Sequence, residues 1–263
     1  MSSLWALILG LVQGLTEFLP VSSSGHLVLA EALVGYRSPG VVLEAVVHLA
    51  TVLVTLVYFR RRFLSLARGF WREGPARRLV LMLFVAFAIT SVIGLALERW
   101  IAAAFETPTV AAGMMLLTAL VLVSARLAPA AQADDILQVS WKTALLVGAA
   151  QGLAVFPGLS RSGTTIIAGL WGGLGRSAAA EFSFLLAVPT ILTASLYGLW
   201  RAPDLGAVAA GPLLLAGAVA FISGLLVVHW FMRWLRRGRL EWFAAYCVVI
   251  GGGYLLARQI GWL

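Results

Sequence analysis

Charge is scarce in this chain: 11% of its 263 residues are Asp, Glu, Lys or Arg, against 61% hydrophobic residues and a mean hydropathy of +0.97. So little polar surface cannot cover a water-soluble globule, and lipid is the expected solvent. Cysteine is nearly absent, and the single Cys247 sits in an apolar run, which excludes a disulfide and a CxxC metal site. Runs alternating apolar and polar residues are missing too, which argues against a membrane β-barrel. No Walker loop, HExxH or strand-borne GxGxxG occurs, and the cluster Gly172, Gly173, Gly175 reads as a turn after a helix. The net charge of +8 comes without a separate basic domain; the arginines lie between apolar segments, which speaks for membrane topology and against a nucleic-acid partner. At the start, Gln13 interrupts the apolar run from Leu4 to Val12 and no basic n-region precedes it, so this stretch resembles neither a cleaved signal nor a full span.

Long apolar runs are what the chain does have. Residues 41–59, 79–97, 109–126, 178–199, 211–232 and 241–258 are each about the length a helix needs to cross a bilayer core. Residues 4–34 and 142–175 differ, each holding two short apolar stretches around a Pro/Gly/Ser-rich centre. Stretches of about 10 to 14 residues suit the arms of a re-entrant helical hairpin. These two segments are copies: a shift of 138 positions lays Gly10, Gln13, Gly14, Leu15, Phe18, Ser22, Ser24 and Gly25 on Gly148, Gln151, Gly152, Leu153, Phe156, Ser160, Ser162 and Gly163. With one residue of slippage, Glu44, Leu49 and Ala50 fall on Glu181, Leu186 and Ala187. The expected fold is therefore all-α and integral to the membrane, a single domain over 1–263 made of two tandem units, near 1–127 and 141–260.

Each unit would hold one returning hairpin and three spans, an odd number of crossings that inverts the second unit. The expectation is six transmembrane helices plus two re-entrant hairpins in two inverted repeats. If the loop Arg60 to Arg78 is cytoplasmic, fourteen basic residues fall on that side and four (Arg37, Arg99, Arg201, Arg258) on the other, with Arg161 left within the membrane. That bias agrees with the positive-inside rule. The first hairpin then opens outward, the second inward, and both tips meet near the midplane.

At the first tip, Gln13 and Glu17 share a helix face just before Pro20 ends the helix. Ser22 and Ser24 are good N-caps for the next helix, leaving the amides near Gly25 and His26 free at a positive dipole end that suits an anion. The second tip repeats the device, replacing Ser23 by Arg161 and His26 by Thr164. A buried Arg costs at least about 2.5 kcal/mol and needs a carboxylate or phosphate beside it. Two helix N-termini around Arg161 would bind a diphosphate better than a monovalent anion. An ionised Glu17 would repel phosphate, so it is expected to be protonated or bridged to the substrate by Mg²⁺ or Ca²⁺. His26 is a candidate general acid or base or nucleophile, and Ser23 an alternative nucleophile.

These residues resemble the undecaprenyl-diphosphate phosphatases of bacteria, also called bacitracin-resistance proteins, over nearly the whole chain. Gln13 and Glu17, then Phe18 to Ser23 and Gly25-His26, match the first signature of that family. Pro157, Gly158, Ser160, Arg161, Ser162 and Thr165 match the second. The resemblance implies removal of the terminal phosphate of a C55 polyprenyl diphosphate at the outer side of the cytoplasmic membrane, with a divalent cation, to recycle the lipid carrier of peptidoglycan synthesis. It implies roles for Glu17, Ser23, His26 and Arg161, with Ser160 and Thr165 assisting at the phosphate; from their places at the tips Gln13, Ser22, Ser24, Gly25, Ser162 and Gly163 are also expected around the substrate, with N-capping alone the plainer reading of Ser22, Ser24 and Ser162. Where many relatives have a first Glu this chain has Gln13, so a metal held by two carboxylates is not expected. Membrane lipids are the other partners, and a homodimer is compatible with the sequence.

Plainer readings compete. Gly10-x-x-x-Gly14 and Gly148-x-x-x-Gly152 are close-packing motifs that let the hairpin arms approach. Glu44 and Glu181 sit near helix starts, His48 and His229 read as core residues with one hydrogen bond, and Trp100, Trp141, Trp200, Trp242 and Trp262 as interfacial anchors. Paired broken helices at the midplane also suit a transporter or flippase of a lipid phosphate or small anion. The unlike groups at the two tips favour an enzyme.

Overall fold

The structure is a computed structural model that describes residues 2–34, 41–201 and 209–262; Arg37, counted above on the outer side, lies outside the described residues. The described residues are helical apart from short turns and one bridge between Ala133 and Leu174. In the first unit lie α1 (Ser3–Thr16), α2 (Ser23–Val34), α3 (Val41–Tyr58), α4 (Arg60–Phe70), α5 (Pro75–Ala96), α6 (Glu98–Phe105) and α7 (Pro108–Val123). The second holds α8 (Trp141–Leu153), α9 (Arg161–Trp171), α10 (Arg176–Arg201), α11 (Ala210–Leu235) and α12 (Glu241–Gln259).

Four helices are long and apolar enough to cross a bilayer: α5, α7 extended to Leu127, α10 and α11. A fifth arises if α3 and α4, bent by 73° at Phe59, count as one. The sixth expected span, α12, misses that standard because three glycines, two tyrosines and the terminal Glu241 and Arg258 dilute its apolar residues. The two odd segments each form a pair of short helices, 14 and 12 residues for α1 and α2, 13 and 11 for α8 and α9. At 1.5 Å per residue none of these reaches across a core of about 30 Å.

Sequence punctuation explains the breaks. Pro20 and Pro157 cannot continue a helix, and serines restart it: Ser160 Oγ caps α9 by accepting the Gly163 amide at 3.1 Å. Gly158 turns the chain at φ +93°, and Ser22 holds a left-handed φ of +67° that costs a non-glycine residue energy and marks a constrained tip.

The small-residue motifs pack closely, as expected, but against other partners. A Cβ on Gly10 would collide with the Ala216 backbone, and one on Gly14 would stand 2.6 Å from the Ala220 carbonyl, so α1 lies against α11. In the second unit, a Cβ on Gly148 would meet Ala86 and one on Gly152 would meet Ile93, so α8 lies against α5. Each motif thus serves contact with a helix of the other unit, not with its own neighbouring arm. Overpacking at such a backbone contact costs about 1–3 kcal/mol, so Gly14→Ala should lower the unfolding temperature of the purified protein in detergent, read by tryptophan fluorescence. The five interfacial tryptophans are all exposed.

Candidate active site

The two breaks touch. Ser22 Oγ accepts the Gly158 amide at 3.1 Å, Ser162 Oγ donates to the Leu19 carbonyl at 2.9 Å, and Gly163 lies against Pro20. Thr118 of α7 fastens the second tip, donating to the Gly158 carbonyl at 2.8 Å and accepting the Ser160 amide at 2.9 Å. Between the tips opens a cavity of about 290 Å³. Glu17, Ser22, Ser23, Ser24, Ser160, Arg161 and Ser162 line it on the polar side; Phe105, Ile191 and Ala194 stand among its apolar lining.

Glu17 is the hub of this cavity. Its Oε1 pairs with Arg161 Nη2 across the tip interface, while its Oε2 accepts from Ser23 Oγ at 2.6 Å and from Gln13 Nε2 at 2.9 Å. The sequence suggests a protonated or metal-bridged Glu17; in the structure Arg161 stands beside it, and their ion pair compensates two charges held away from water. Among the described residues four buried side-chain polar atoms have no protein partner: Gln13 Oε1, its repeat mate Gln151 Oε1, Arg161 Nη1 and Thr164 Oγ1. Buried polar groups are seldom left so, and a donor and an acceptor on opposite sides of one carboxylate suit a ligand carrying both signs of charge.

The free amides lie two residues earlier than expected. Gly25 N–H donates to Ser22 Oγ at 3.2 Å and His26 N–H to the Ser22 carbonyl at 3.2 Å. Among the described residues, the amides of Ser23 and Ser24, and their counterparts on Arg161 and Ser162, donate to no protein acceptor. Two helix starts therefore present two amides each, the arrangement that binds phosphate oxygens.

Other expected residues fall outside the cavity wall. Gly25 and Gly163 are close-approach points, and Gln13 reaches the site through Glu17. Thr165 is fully buried behind Arg161, its hydroxyl shared between the Arg161 carbonyl at 2.7 Å and Ser183 Oγ at 2.5 Å. His26 also stands away from the cavity: its ring stacks on Tyr246 of α12, with Nδ1 against the Ser22 carbonyl at 2.7 Å and Nε2 against the Tyr246 hydroxyl at 2.8 Å. With both nitrogens engaged, His26 is poorly placed to attack phosphorus.

The histidine in the cavity is His48, which the sequence reading left in the core. Its Nδ1 lies 2.8 Å from the Glu44 carbonyl, which makes Nδ1 the donor there, and its Nε2 stands 3.8 Å from Glu17 Oε2. The available signal was the four-residue spacing from Glu44, which also lines the cavity. Its repeat mate Glu181 has a different fate, bound to Arg62 at 2.6 Å. His229 is exposed, edge-on to Tyr58, and not a core residue.

Apolar helices around a cavity that holds the Glu17–Arg161 pair define a multi-pass membrane protein with a charged site among its helices. Residues 6–253 match the family described as bacitracin resistance protein BacA, and the chain belongs to that family. Curated relatives named undecaprenyl-diphosphatase are similar along almost their full length. That of Syntrophotalea carbinolica is 42% identical over 259 residues, covering 96% of this chain and 97% of its own. That of Dechloromonas aromatica is 40% identical over 266 residues, covering 98% and 95%. That of Desulfatibacillum aliphaticivorans is 37% identical over 273 residues, covering 96% and 98%.

Proposed function

We propose that this protein hydrolyses undecaprenyl diphosphate to undecaprenyl phosphate and inorganic phosphate, recycling the lipid carrier of peptidoglycan synthesis and so conferring bacitracin resistance. The observation that carries the chemistry is the chain Ser23 Oγ–H to Glu17 Oε2, with Glu17 in turn oriented by Gln13 and Arg161. A hydroxyl bonded to an oriented base is the arrangement of an activated nucleophile. Family membership and the names of the relatives favour the enzyme over the transporter or flippase reading.

In the mechanism we infer, the terminal phosphoryl group enters between the tips. Arg161 Nη1 and the amides of Ser23, Ser24, Arg161 and Ser162 take its oxygens. Arg161 keeps Nη2 on Glu17 Oε1 while its Nη1 serves the phosphate, and so holds the carboxylate toward Ser23. Glu17 Oε2 then accepts the Ser23 proton while Ser23 Oγ attacks phosphorus, the bridging P–O bond breaks, and the undecaprenyl phosphate leaves with the proton from Glu17. Glu17 next takes a proton from water, which attacks the phosphoserine; the proton returns to Ser23 Oγ and inorganic phosphate departs. His26 holds the Ser22 carbonyl, and thereby the tip, against Tyr246.

The residues fit a divalent cation of the substrate-bridging kind. Among the described residues no three His, Cys, Asp or Glu side chains are grouped, which argues against an all-protein cage. The partnerless Gln13 Oε1 beside the Glu17 carboxylate offers hard oxygen ligands of the sort Mg²⁺ or Ca²⁺ takes together with phosphate oxygens and water. The ion would neutralise phosphoryl charge.

The reading extends to topology: six spans and two re-entrant hairpins in two inverted repeats, 1–127 and 141–260, in the bacterial cytoplasmic membrane with the cavity open to the outer side. The crossed packing of α1 on α11 and α8 on α5 supports the repeat, and the basic residues, fourteen against four, support the orientation. Purified protein with Mg²⁺ is expected to release phosphate from a C55 diphosphate and to lose about 10²-fold in rate on chelation. No phosphate release with Mg²⁺ or Ca²⁺, with phosphate uptake into proteoliposomes instead, would establish the transporter.

A further inference from the structure

A second cavity, of about 550 Å³, lies at the elbow where α3 gives way to α4. Tyr58, Phe59, Arg60, Arg61 and Ser65 line it, together with the Arg62–Glu181 pair. Glu44 in the catalytic cavity and Tyr58 here stand on the same helix, about 21 Å apart along its axis at 1.5 Å per residue, so the two cavities lie toward opposite faces. The charges around this second cavity are unbalanced. Arg62 is neutralised by Glu181 at 2.6 Å and by Asp135 at 4.0 Å. Arg60 and Arg61 are exposed, and among the described residues neither meets a carboxylate; Arg60 only donates to the Val57 carbonyl at 3.1 Å. Arg233 near the end of α11 and Arg236 just after it add positive charge toward Tyr58. Two guanidinium groups on this wall, Arg60 and Arg61, have no carboxylate partner among the described residues, and Arg233 and Arg236 add to the positive field, a cost that an anion relieves.

The surroundings indicate what carries that anion. Helix α4 turns 73° away from α3, and it leaves Leu64 53% exposed and the following Trp71 86% exposed beside Arg60, Arg61 and Arg68. Arginines with apolar side chains on a helix turned out of the span direction are the features of an interfacial helix seated among lipid headgroups. We propose that the α3–α4 elbow is a binding site for the phosphate headgroup of an acidic lipid, in the leaflet opposite the catalytic cavity. Nothing in the hydrolytic mechanism uses these residues. Free phosphate would share the arginines but would have no use for Leu64 and Trp71.

Full-length protein, delipidated in detergent, can be titrated with phosphatidylglycerol or phosphatidylcholine and its bound lipid counted by native mass spectrometry. Phosphatidylglycerol should bind about tenfold or more tightly than phosphatidylcholine. Arg60→Gln/Arg61→Gln should weaken it about 25-fold, at about fivefold per arginine, with hydrolysis of a detergent-soluble prenyl diphosphate unchanged. Arg60→Lys/Arg61→Lys, which keeps the charge should the glutamine pair fail to fold, should still prefer phosphatidylglycerol. Equal affinity for the two lipids, or unaltered binding in the glutamine variant, would overturn the proposal. Displacement of the lipid by millimolar inorganic phosphate would overturn it in favour of a free-phosphate site.

Discussion

Ser23→Ala should lower kcat for a C55 diphosphate by about 10⁴- to 10⁶-fold, the range seen when a covalent nucleophile or its base is removed. The expectation rests on geometry: Ser23 Oγ is 2.6 Å from Glu17 Oε2 in the wall of the cavity, while His26 is held against Tyr246. Alanine removes the hydroxyl but leaves Arg161 and the four free amides, so substrate affinity should change little. Acid-quenched wild-type protein, given substrate labelled in its terminal phosphate, should carry the label on a peptide containing Ser23. A Ser23→Ala protein that turns over near the wild-type rate would mean that water or a histidine attacks phosphorus. His26→Ala discriminates further, since a residue that positions the tip should leave labelling of Ser23 detectable.

Arg161→Ala should cost about 10³-fold in kcat/KM, as expected for a guanidinium that stabilises charge on a transferring phosphoryl group. Arg161→Lys should recover only a small part. A guanidinium can bind Glu17 through Nη2 and phosphate through Nη1 at once, whereas an ammonium is a single point charge without that fork. Removing Arg161 also leaves Glu17 buried without its partner, which is destabilising by about 3–5 kcal/mol. Loss of activity must therefore be compared with Glu17→Gln/Arg161→Ala, which removes the uncompensated charge. The double variant should regain thermal stability but not hydrolysis. If Arg161→Ala retained full kcat/KM, Arg161 would be only a strut between the tips.

Where these predictions meet the amino-acid sequence, its reach has a clear edge. The meeting of the tips was legible because Ser22 and Ser160 occupy equivalent positions in two copies, and because Pro20 and Pro157 stop helices wherever they occur. The Glu17–Arg161 pair was half legible: a buried arginine demands an anion, but a carboxylate and a phosphate satisfy that demand equally. The free amides lie two residues before the expected pair because Ser22 adopts a left-handed φ, which draws Gly25 and His26 into bonds with Ser22 itself.

By itself the sequence determined the solvent, the helical class, the places where helices break and the equivalence of the two breaks. The first three depend on residues acting within a window of about twenty positions, hydropathy over a span, proline against a helix, serine at its start, and the fourth on the same local pattern recurring 138 positions on. Tertiary structure alone decided which way each helix turns about its axis. That rotation brings His48 into the cavity beside Glu17 and carries His26 out to Tyr246; it sends the repeat mates Glu44 and Glu181 to different cavities, and it presses Gly10 and Gly14 against α11. The physical reason is that α2 and α3 are apolar around much of their circumference. Their own pattern leaves the facing side undecided, and contacts with helices more than a hundred residues away in the chain decide it.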